Sequence, residues 1–126
     1  MKSLPYWFLG LATLFGLAGM IWGIAMGISE DFTLAPAHAH NNLLGFVAMA
    51  IYAFYYRLVP AAANSRMAVI HFWLAFLGAL TFGPGLVLQL LNMTGVVIQI
   101  ASLLVVLSMA VFAWIVWTHR SGLTNA

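Results

Sequence analysis

The sequence predicts an all-α membrane protein of four transmembrane helices, up-down-up-down, in one domain spanning residues 1–126. Three observations predict it. Hydrophobic residues make up 65% of the chain and charged residues only 5%, too little polar surface to cover a water-facing exterior. Mean hydropathy is correspondingly high, at +1.08. A span needs roughly 20 mostly apolar residues, and four stretches, at about 5–28, 38–59, 67–91 and 96–118, are long enough. The charges also segregate: Lys2, Arg57, Arg66 and Arg120 fall on one side of these stretches, Glu30 and Asp31 on the other. The positive-inside rule then places both termini in the cytoplasm of a bacterial-type inner membrane.

The first element follows Lys2, as a signal-peptide core would, but its apolar run of about 24 residues exceeds the usual core of 7–15 and reads as a retained helix. Gly19, Gly23 and Gly27 recur every fourth residue on one face, the pattern of a close helix-packing seam. The loop "SEDFTLAPA" leads to the second helix, with Pro36 just before it. Pro60, in "PAAANS", ends that helix. The third helix carries "FGPG" at 82–85, where Pro84 is expected to introduce a kink. Only "NMTG" separates it from the fourth. Short connections join antiparallel neighbours.

Several function classes fall away. Four cationic residues cannot make a nucleic-acid-binding face. With no cysteine there is no disulfide, no thiolate metal site and no covalently attached c-type haem. No charged residue sits deep in a span to couple ions, which argues against a transporter.

Polar residues gather instead at the start of the second helix, in "APAHAHNNLLGF" (35–46). Helical residues two apart point about 160° away from each other, so His38 and His40 cannot chelate one metal together. Each serves a different side of the helix or pairs with a histidine from elsewhere. His71 and His119 lie near the cytoplasmic ends of their helices, so that partner would come from another copy of the chain. Below His38 run Asn42, Gly45, Met49, Tyr52 and Tyr56; below His40 run Leu44, Val47, Ile51 and Phe54. Gly45 is small enough for a flat macrocycle to lie against the backbone there. The second face is a bulky apolar wall. His38, His40, Asn41 and Asn42, with Gln89, Asn92 and Gln99 at similar depth, fit a bound metal or cofactor. They also fit hydrogen bonds to water, headgroups or carbonyls, and the residues alone leave both open.

"HAHNNLLGF", a tyrosine-bearing helix, "RLVP", and "HFWLAFLGAL" on the next helix together resemble subunit I of the haem-copper oxygen and nitric-oxide reductases. The likeness is closest to the small subunit I-like and nitric-oxide-response membrane proteins, and strongest over 36–82. In that family subunit I is built of three four-helix repeats in a ring, and one repeat carries an H-x-H whose histidines serve different haems. The resemblance implies that this chain is one repeat, that three copies form a homotrimer, and that His38 of one copy faces His40 of the next across a non-covalent haem b. Asn41 and Asn42 would then orient an imidazole or meet a propionate. The further histidines that a binuclear oxygen-reducing centre needs are missing from this half of the membrane, so electron transfer or gas sensing is expected rather than oxygen reduction. The redox partner is not legible. Nearer the cytoplasm, His71 is expected to pack or to bond a carbonyl, with proton uptake as its other role.

Two further readings stand beside this one. Copper(I) handling would use His38 and His40 with Met20, Met26 and Met93. A cofactor-free assembly subunit would use the asparagines and the glycine row as helix contacts.

Overall fold

A computed structural model describes residues 3–124; Lys2, one of the four cations used to orient the chain, lies outside them. The described residues are helical nearly throughout. Helix α1 is Leu4–Ser29, α2 Ala35–His40, α3 Met49–Leu58, α4 Pro60–Ala63, α5 Arg66–Leu90, α6 Val96–Thr118 and α7 Ser121–Thr124. Between α2 and α3 the backbone does not break but widens into a π-helix, Asn41–Ala48. Three helices, α1, α5 and α6, are long and apolar enough to cross a membrane.

Local chemistry explains the boundaries. Pro5, Pro36 and Pro60 each sit in a first turn, where the missing N–H costs nothing. The second helical run therefore starts at Ala35, before the expected 38, with Pro36 inside it. Ser65 caps α5, its hydroxyl accepting from the Ala68 N–H at 3.1 Å. The "PAAA" stretch, expected as loop, makes the one-turn helix α4. After α1, the Thr33 hydroxyl and N–H both donate to Asp31, at 2.6 and 3.0 Å, and hold its carboxyl below the usual range.

Each long element packs on its neighbour in sequence, α1 on the α2–π–α3 run, that run on α5, and α5 most intimately on α6. Glycines set the last approach. A methyl at Gly85 would stand 2.8 Å from the Ile98 backbone nitrogen, and one at Gly78 3.0 Å from Val105. Pro84, between Gly83 and Gly85, lies inside an α5 that stays helical to Leu90. The main core forms toward the Arg57 and Arg66 end, around Leu4, Phe8, Tyr52, Tyr56, Phe72 and Ile115. Much of α1 and α6 presents large apolar side chains outward, as lipid-facing helices do.

Candidate functional site

The α1 glycine row is a seam, as its spacing predicts, but what enters it is polar. The space a methyl would take at Gly19 is occupied by the Asn42 side-chain oxygen, and at Gly23 the His38 ring lies 3.2 Å from that position. Gly27 faces open space. The exchange is mutual, because Gly45 on the π-helix receives the Phe15 ring from α1. The close approach anticipated for a flat macrocycle at Gly45 is thus made by Phe15.

A fixed sequence of hydrogen bonds follows. Asn41 donates its amide to the Phe15 carbonyl at 3.3 Å and to the Asn42 side-chain oxygen at 3.4 Å. With its oxygen accepting, Asn42 points its NH₂ at His38 Nε2, 3.3 Å away. Nε2 must then be the acceptor, so the ring proton sits on Nδ1. That Nδ1 is buried without a hydrogen-bond partner among the described residues. Trp22 meets the His38 ring edge-on at 5.8 Å.

His40 faces the other way. Its ring stacks on Phe82 of α5, centroids 4.9 Å apart and planes 19° from parallel. Nδ1 lies 2.8 Å from the Pro36 carbonyl, and since a carbonyl only accepts, Nδ1 carries the proton. Nε2 is left as a lone pair with no partner among the described residues, and it is not sealed from the surface as His38 Nδ1 is. The two histidines therefore serve opposite sides of one helix, one turned to α1 and the other to α5, in agreement with the angular expectation.

The faces below them differ in burial, which their composition had not indicated. Gly45, Met49, Tyr52 and Tyr56, below His38, are buried; Val47, Ile51 and Phe54, below His40, are exposed. Asn41 and Asn42 are half-buried partners of this cluster, whereas Gln89, Asn92 and Gln99 are exposed and take no part in its hydrogen bonds. The three methionines do not share one environment: Met26 is buried, while Met20 and Met93 are 63% and 68% exposed. No group of three or more His, Asp or Glu side chains able to hold a metal occurs among the described residues.

His40 fits an axial haem ligand in its tautomer, since a backbone carbonyl on Nδ1 is the usual device that aims Nε2 at a metal. His38 fits only after Asn42 turns away from Nε2. His71, expected to pack or to bond a carbonyl, is fully buried and packs among aromatic rings, and its hydrogen-bond partner is the Tyr56 hydroxyl, Nδ1 to oxygen 2.9 Å, rather than a carbonyl. The fifteen-residue separation gives no helical-spacing signal, so nothing in the sequence pairs them.

In comparisons with known proteins, no family model, no curated protein and no solved structure matches this chain.

Proposed function

We propose that this chain is a membrane-embedded b-type haem protein of a bacterial-type inner membrane, a homotrimer acting in electron transfer or gas sensing. One observation carries the reading: His40 Nδ1 is committed to the Pro36 carbonyl at 2.8 Å, which leaves Nε2 as a lone pair with no partner among the described residues. Phe82 fixes the plane of the ring and so the direction of that lone pair. A haem bound here supplies one-electron chemistry, or gas binding where an axial position opens.

A second residue holding the haem would come from another copy. The same chain's other nearby imidazole, His38, is turned to α1 and covered by Asn42. For His38 to serve the next interface, the Asn42 amide would have to turn away from Nε2 and the ring would have to leave its seat at Gly23 on α1; closed threefold symmetry would then repeat the arrangement. Asn41, tied to the Phe15 carbonyl, anchors the amide pair while this happens.

In this reading the α2–π–α3 run is the fourth span. It is helical from Ala35 to Leu58, and its π-helix divides it into pieces individually too short to qualify. The order of contacts, Gly23 with His38, Gly19 with Asn42 and Gly16 with Phe46, supports antiparallel packing on α1. With Arg57, Arg66 and Arg120 facing the cytoplasm, both termini lie there.

Native mass spectrometry of the full chain, expressed with haem supplied and released from detergent, tests the proposal. A trimer carrying non-covalent haem is expected. A haem-free species under those conditions overturns it.

A further inference from the structure

A haem at His40 makes no use of the opposite end of the molecule, where α1 begins and α3 ends. Arg57 stands exposed there, in the last turn of α3. No acidic side chain of its own chain can reach it. The chain's two acids, Glu30 and Asp31, follow the far end of α1, whose 26 residues extend roughly 40 Å.

Two open clefts meet at Arg57. Both are walled by Arg57 and by Pro5, in the first turn of α1. The first, about 390 Å³, continues past Tyr6 and Leu9 of α1 and Ala53 and Phe54 of α3. α1 and the α2–π–α3 run pack in opposite directions, Gly23 against His38 and Gly16 against Phe46. Leu9 and Phe54 therefore each lie about one turn from Pro5 and Arg57, toward the apolar middle of the pair. The second cleft, about 320 Å³, runs the other way, past Pro60 and Ala63 to the exposed Asn64 beyond the end of α3. Since α1 is long and apolar enough to cross a membrane, its first turn and Arg57 beside it sit at the membrane surface. Hydrocarbon thus lines the membrane side of the guanidinium and an amide its water side. At the mouth of the first cleft, the Ser3 hydroxyl caps no helix N–H. The start of α1 beside it adds partial positive charge.

We infer that this junction binds an anionic glycerophospholipid of the bilayer. Arg57 holds the phosphate, to which the planar guanidinium offers paired donors. One acyl chain lies in the cleft between Leu9 and Phe54, and the headgroup reaches the Asn64 amide. Basic pockets between helices at a membrane surface recognise lipid phosphates in this way. A free phosphate ion would satisfy Arg57 and leave the apolar cleft unused. A zwitterionic lipid would bring a second cation to the guanidinium. The site is separate from His40 and does not depend on haem.

The test is native mass spectrometry of the full chain in non-ionic detergent, titrated with phosphatidylglycerol or with phosphatidylcholine of the same acyl chains. Phosphatidylglycerol is expected to bind about fivefold or more tightly, the usual worth of one basic residue at an anionic lipid surface. Arg57→Gln should lose that preference. Arg66→Gln should keep it, because Arg66 lies at the same end but lines neither cleft. Excess inorganic phosphate should not displace the lipid. Circular dichroism checks that both variants keep their helical content. Equal binding of the two lipids by the wild type overturns the proposal, and this comparison is decisive even if a variant fails to fold. An equal loss in Arg66→Gln would reduce the effect to unspecific charge, and displacement by phosphate would reduce it to a free-anion site; either result also overturns it.

Discussion

At Gly45 a single methyl group would compete with the Phe15 ring for the same space. Gly45→Ala is therefore expected to destabilise the protein by about 1–3 kcal/mol, the usual cost of overpacking a tight contact. Combining it with Phe15→Ala should cost clearly less than the sum of the two single changes, because the clash exists only when both groups are present. Denaturant unfolding in detergent measures all three variants, and strict additivity would show that Phe15 does not fill the notch. The residue types at this site were legible in the sequence: two histidines facing apart, with asparagines beside them. Their partners were not. Glycine spacing on α1 announces a groove, but nothing in the spacing says that Asn42 and His38 enter it. Gly45 likewise marks a close approach without naming what approaches. The same limit hid the hydroxyl partner of His71, Tyr56 on another helix.

The elements themselves were largely legible, since an apolar run long enough to span leaves few alternatives to a helix. The π-helix at Asn41–Ala48 was not. Hydropathy reports which residues are buried, not whether the local ladder closes at four residues or five. Asn41, Asn42 and Gly45 are weak α-helix formers, so tertiary contacts with α1 decide the local geometry at low cost. The α5–α6 seam is the clearest case of geometry set by an element's composition. With the Gly85 position 2.8 Å from the Ile98 backbone, Gly85→Ala must push the two helices apart. A loss of about 1–3 kcal/mol is expected, measured by the same unfolding assay, because backbone cannot yield as a side-chain tip can. Gly10, which has nothing within 4 Å, provides the control: Gly10→Ala should be neutral or slightly stabilising.

On the scale of the whole molecule, the packing is sequential, each long element resting on the next, with the polar site at one end and the aromatic core at the other. The scarcity of charge made the membrane setting legible from composition alone. How copies of the chain assemble was not, because an apolar surface facing lipid and one facing another subunit have the same composition. The haem proposal joins these scales: a proposed ligand whose Nδ1 is fixed by one carbonyl and whose ring plane is set by one aromatic ring. The measurement that bears on it most directly is the dithionite-reduced optical spectrum of His40→Gly, purified with haem supplied, before and after addition of imidazole. A sharp α-band in the wild type, absent in His40→Gly and restored by imidazole, is the expected result. A band of undiminished intensity in His40→Gly without imidazole would contradict the assignment of His40 as the iron ligand.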